Sequence, residues 1–190
     1  RRMSAVPASS ASLSDKVVAV AAAAPVIAAH PLGGSTAFVL GEAAVLLVGP
    51  DGGERRVALH AGGILAACAG ARELITGGDD GRVVALGADD TAREVAADAK
   101  RRWIDQVAVS PAGAVAWAAG RTVSVRTVAG EVRSLDLPSS AGGLAFAPKG
   151  FRLAVAHYNG ATLWFPNAAA APETLPWKGS HLAALFSPDG

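Results

Sequence analysis

The chain has 190 residues, of which 51% are apolar and 17% charged, with a formal net charge of +1. That balance belongs to a folded globular chain, and near-neutral charge gives no electrostatic reason to expect nucleic acid or an anionic membrane as the partner. A single cysteine, Cys68, excludes an internal disulfide and a zinc–cysteine cluster, and no apolar run reaches the ~18 residues that span a bilayer.

Residues 1–15 read as a flexible, Ser-rich tail. Arg1-Arg2 and the apolar run 17–29 imitate a secretion signal. Against that, Asp15 and Lys16 directly precede the run, alanine makes it weakly hydrophobic, and Pro25 interrupts it. A strand at 16–20 is expected next, placed to complete the last sheet of a ring. From there the chain reads as one repeating unit. The first unit takes residues 25–59, with strands at 26–29, 36–40, 44–48 and 55–59, the last two joined by the turn Pro50-Asp51-Gly52-Gly53.

The second unit, 60–98, is the most legible. A histidine, His60, precedes an apolar strand at 64–68, then strands at 73–76, 82–86 and 92–96, with Asp79-Asp80-Gly81 as a tight turn. Cys68 ends the first of these strands and reads as a small buried hydrophobe. The third unit, 103–137, has strands at 104–109, 114–118, 122–128 and 132–136. The fourth, 141–176, has strands at 144–147, 152–156 and 161–165 and a weak one at 173–175, before which 168–172 reads equally as an irregular loop. A fifth unit begins with a strand at 181–186 and stops at residue 190.

Ser110-Pro111-Ala112-Gly113, Ala147-Pro148-Lys149-Gly150 and Ser187-Pro188-Asp189-Gly190 are three versions of one turn. Proline fixes φ at the second position and glycine lets the backbone reverse. Pro111 and Pro148 are 37 positions apart, Pro148 and Pro188 40. Short strands at a ~40-residue period are the pattern of a β-propeller. The expected fold is all-β: four-stranded antiparallel blades, about four of them plus the first strand of a fifth. That is an incomplete ring, the N-terminal part of a larger propeller.

The unit running from His60 through Leu74-Ile75-Thr76-Gly77-Gly78-Asp79-Asp80-Gly81, together with the Ser-Pro-x-Gly turns, resembles the WD-repeat β-propeller family over residues 26–190. In that family a loop histidine, a strand hydroxyl, a turn aspartate and a third-strand tryptophan pin a blade. The resemblance implies that His60, Thr76 and Asp80 form this structural hydrogen-bond network, while Leu86 stands at the tryptophan position. In the fourth unit Trp164 falls near that position, and Asn159 takes the turn.

A histidine, a threonine and an aspartate also read as acid–base or nucleophilic machinery. The structural reading is preferred, because the same trio satisfies buried polar atoms. No catalytic residue is expected. No metal or other cofactor is expected either: His30, His60, His157 and His181 fall in different units without ligand spacing, and Asp79-Asp80-Gly81 lacks the further ligands of a calcium loop. Gly62-Gly63 and Gly142-Gly143 open no phosphate-cradling motif and read as places of close backbone approach.

What remains is surface recognition. In the family resembled, the loops entering first strands and those joining second to third strands emerge on one face. Carried over, that face bears Arg101, Arg102 and Trp103, His157 and Tyr158, and Trp177 and Lys178, residue types enriched where proteins bind proteins. An alternative for Trp103 and Trp177 is that they plug gaps between blades. The expectation is a cytoplasmic, non-enzymatic scaffold with a protein partner and no membrane. The competing expectation is a propeller enzyme, a hydrolase or oxidoreductase, whose channel site lies mostly in blades beyond residue 190.

Overall fold

A computed structural model of the chain describes residues 12–190, so the expected tail at 1–15 lies largely outside the described residues. Among the described residues the one helical element is a 3-10 turn, Leu13–Lys16, and no helix is long and apolar enough to cross a membrane. All other regular structure is antiparallel sheet.

Sheet 1 holds β1 (Val26–Leu32), β2 (Ser35–Leu40), β3 (Ala44–Val48) and β4 (Glu54–Ala58). Sheet 2 holds β5 (Ile64–Ala69), β6 (Glu73–Gly78), β7 (Arg82–Gly87) and β8 (Ala92–Ala97). Sheet 3 holds β9 (Gln106–Val109), β10 (Val115–Ala119), β11 (Thr122–Arg126) and β12 (Val132–Asp136). Sheet 4 holds β13 (Ala141–Phe146), β14 (Leu153–Trp164) and β15 (Glu173–Ser180). Strands follow one another in space as they do in sequence. Every sheet is thus a meander closed by short turns. Gly113, Gly150 and Gly190 sit at φ 94°, 75° and 103° in the three Pro-Gly turns, where a side chain would be strained.

The twelve-residue β14 is two strands in one. Residues 153–157 pair with β13 and residues 158–163 with β15. His157 Nε2 lies 2.9 Å from Thr162 Oγ1. In a straight strand those residues would stand about 16 Å apart, so the chain reverses between them. Asn159 (φ 64°) and Gly160 (φ 146°) supply the reversal. Sheet 4 therefore has the same four-strand plan as the others.

The sheets stack face to face, with β1, β5, β9 and β13 each touching the next. Consecutive residues of a middle strand enter different cores, because the pleat alternates. Leu74 and Leu86 pack with Val39 and Leu47 between sheets 1 and 2. Their neighbours Ile75, Val83 and Ala85 pack with Ile104 and Trp117 between sheets 2 and 3. Val125, Leu153, Val155 and Trp164 fill the space between sheets 3 and 4. Burial on both faces is why the middle strands read as unbroken apolar runs instead of alternating ones. The outermost strands β4, β8 and β12 are mostly exposed and carry Arg55, Arg56, Arg93, Glu94 and Arg133. Charge there discourages pairing with another chain.

Two expected strands are not formed. Residues 17–24 form no strand: Val20, Ala22 and Ala24 instead lie on the outer face of sheet 1, against Leu40 and Leu46. Partial burial of those three side chains holds the later part of the segment without a ladder, while Val17 and Val18 stand exposed. Residues 181–187 also run without a ladder, crossing β13 at its glycine pair. They take the next place in the row of innermost strands. With Ala154, Ala156, Leu163 and Leu175 they border a groove of about 780 Å³ on the far face of sheet 4.

Candidate functional site

In sheet 2 the chain brings His60, Thr76 and Asp80 together. The Nδ1–H of His60 donates to Asp80 Oδ1 at 3.0 Å, and the Thr76 hydroxyl lies 2.9 Å from Nε2. The backbone N–H groups of Ala61 and Arg82 both donate to the Asp80 carboxylate at 3.0 Å. Burial, the largest single influence, works to raise the Asp80 pKa. The hydrogen bonds from His60, Ala61 and Arg82 outweigh it and hold the carboxyl below its ordinary value. Five residues thus join the loop before β5, strand β6, the β6–β7 turn and the start of β7. Thr76 is fully buried, so the arrangement satisfies interior polar atoms.

The same end of the stack carries every turn from second to third strand and every connection between sheets. Backbone hydrogen bonds tie these loops into one rim. His60 N–H donates to Ala43 O, Asp98 N–H to Gly81 O, Leu137 N–H to Arg121 O and Ala141 N–H to Gly120 O, at 2.8–3.1 Å. Side chains continue the rim. Arg102 bridges Asp98 (2.6 Å) and Thr122 Oγ1 (3.2 Å), and the Thr122 hydroxyl donates to Asp136 at 2.9 Å. Arg102, the first cause, and backbone N–H groups hold Asp98 below the usual carboxylate range. Tyr158 N–H donates to Ser139 Oγ at 3.0 Å, Gly179 N–H to Asn159 Oδ1 at 3.3 Å, and His181 Nε2–H to the Trp177 carbonyl at 2.8 Å.

The residues expected on a recognition face divide three ways. Trp103, Tyr158 and Trp177 stand at this end at 66%, 58% and 74% exposure, so Trp103 plugs no gap between sheets 2 and 3, while Trp177 also lines the groove on the far face of sheet 4. Arg101 and Lys178 are also exposed. Arg102 is exposed but committed to Asp98 and Thr122, and works as a strut between sheets 2 and 3. His157 is not on the face: it is 2% exposed. Its ring turns inward at the end of a strand whose next residue, Tyr158, turns outward, and it contacts Thr162 and the Tyr158 carbonyl. Trp177 and Lys178, expected in a loop, lie within β15, which is longer than the expected 173–175.

Arg121 belongs on the rim as well, in the two-residue turn between β10 and β11. Its position after Gly120 between two apolar strands was the signal for it. Among the described residues no group of three or more histidine, cysteine, aspartate or glutamate side chains is arranged to hold a metal ion. The chain matches no protein-family model and no curated protein.

Proposed function

We propose that these sheets are blades of a WD-repeat β-propeller and that the protein is a non-catalytic scaffold, recognising a protein partner through the rim. Support for the architecture comes from four stacked meanders of about 40 residues, the Pro-Gly turns and the buried His60–Thr76–Asp80 trio. One observation carries the function: Trp103, Tyr158 and Trp177 stand exposed on a single hydrogen-bonded rim, although such side chains ordinarily add to cores. Large aromatics held on a rigid frame are the usual anchors of protein interfaces.

The test is a comparison of wild type with the Trp103→Ala/Trp177→Ala variant as tagged baits. A protein recovered with wild type and lost with the variant, while both unfold at the same temperature, supports the scaffold. Equal recovery by both baits would overturn it.

A further inference from the structure

We infer that the far face of sheet 4 is a self-association surface, over which two copies of this chain close as a two-fold dimer. This goes beyond the scaffold reading and uses a different surface. The stack has two end faces, and the chain treats them differently. On sheet 1, Val20, Ala22 and Ala24 lie against Leu40 and Leu46, and both leucines are buried. On sheet 4 the corresponding face is open. Ala154, Ala156, Leu163 and Leu175 line its groove of about 780 Å³, with Trp177 at the rim end.

Residues 181–187 form a ridge beside that groove. Their backbone crosses the glycine pair of β13 so closely that a Cβ on Gly143 would stand 2.7 Å from Ala183 Cα. Leu185 stands on the ridge at 92% exposure, and Leu175 and Trp177 are exposed beside it. An apolar knob and an apolar groove therefore share one surface. That is the condition for an isologous contact, in which each copy gives the other what it receives. A head-to-tail series of copies would need the outer face of sheet 1, which Val20, Ala22 and Ala24 already occupy. The open face must meet its own kind, and the assembly closes at two.

Charge does not oppose this contact. The groove is lined by one arginine, Arg152, and by no carboxylate. The Arg152 guanidinium lies over the Phe186 ring, 4.9 Å from its centre, at the end of the sheet opposite the rim. A two-fold axis across the strands sets the two copies of Arg152 at opposite ends, so like charges do not meet. A face four strands wide and six residues long measures roughly 20 Å by 20 Å. With its side-chain relief it can bury on the order of 600–800 Å² per copy, the low end of specific interfaces. The dimer is therefore expected to be a micromolar one.

Sedimentation velocity of the 190-residue chain from about 1 to about 200 µM tests this. A species of twice the 18.9 kDa chain mass is expected to grow with concentration. It should persist in roughly 0.5 M salt, because an apolar contact is not screened. Leu185→Arg puts an unpaired charge into the contact and is expected to weaken it about tenfold or more. Val132→Arg is the control, on β12 at 56% exposure and away from the groove, and should leave the dimer unchanged. At about 1 µM, where the chain is monomeric, both variants should unfold at the wild-type temperature. A monomer at every concentration, a series of ever larger species, or a dimer indifferent to Leu185→Arg would each overturn the inference. Leu185 is not exchanged in the tryptophan-pair comparison, so the scaffold reading stands or falls separately.

Discussion

His157 and Thr162 touch at 2.9 Å across the hairpin of sheet 4, as His60 and Thr76 do across sheet 2. In both sheets a buried imidazole meets a strand hydroxyl, although the two pairs are built from different positions. The first spans a loop and a second strand, and the second spans one turn. Removing either hydroxyl leaves a buried ring nitrogen unsatisfied, which costs about 1–3 kcal/mol. Thr76→Val and Thr162→Val are each expected to lower the unfolding temperature by roughly 2–4 °C per kcal/mol lost. The pairs sit in separate sheets, so the double variant is expected to show the sum. Calorimetry of the four proteins checks this, and a neutral Thr76→Val would show that the trio holds nothing together.

Acid should loosen this fold through Asp80 and Asp98. Both carboxyls are held below their ordinary pKa, Asp80 by the net effect of hydrogen bonds over burial and Asp98 foremost by Arg102. A depressed folded-state pKa contributes stability that is present above the unfolded value of about 3.9. That contribution is lost as pH falls through the folded values. Urea midpoints should therefore decline below about pH 4, and Asp80→Asn and Asp98→Asn should each flatten the decline. An acid limb of unchanged slope in both variants would count against these two groups as its source.

Much of this fold was legible, and the reasons are local. Ser110, Pro111 and Gly113 specify their turn chemically, and Gly113 N–H donates to the Ser110 carbonyl at 2.9 Å as that turn requires. Leu74-Ile75 and Val83-Val84-Ala85-Leu86 read as strands because both faces of a middle strand are buried. The length of β15 was not legible. Its second half, Pro176-Trp177-Lys178-Gly179-Ser180, is dominated by residues depleted in strands, and its extended course comes from pairing with the far side of the 158–160 turn. His157 was misplaced for a related reason. A histidine beside Tyr158-Asn159-Gly160 looks like a loop residue until the pleat decides that it points in and the tyrosine out. The strand expected at 16–20 failed although Val17, Val18 and Val20 favour extended chain: no ladder forms there, and Val17 and Val18 stand 75% and 78% exposed.

Cys68 should behave as an inert thiol while the chain is folded. Burial pushes its pKa up to about 12. Attack on a disulfide reagent needs the thiolate, so at pH 8 the reactive fraction is roughly a thousandfold below that of an ordinary cysteine. Reaction with Ellman's reagent should be slow in buffer, stoichiometric at once in 6 M guanidinium, and slow again in Cys68→Ser for the trivial reason that no thiol remains. Rapid labelling of the native chain would mean that β5 opens readily.

The glycine pair in β13 should prove to be the seat of residues 181–187. A Cβ on Gly142 would meet the His181 carbonyl, and one on Gly143 would stand 2.7 Å from Ala183 Cα and 3.0 Å from Ala184 N. Backbone cannot yield as a flexible side chain does, so the segment must lift. Gly143→Val is expected to cost about 1–3 kcal/mol and to raise hydrogen exchange at 181–187 while β10 and β11 stay protected. Gly130 is the control: it lies in a turn at φ 90° with nothing within 4 Å of a Cβ, so Gly130→Ala should cost only the backbone term of about 1–2 kcal/mol and leave exchange at 181–187 unaltered. If Gly143→Val left that exchange unchanged as well, the close crossing would not be what holds the segment.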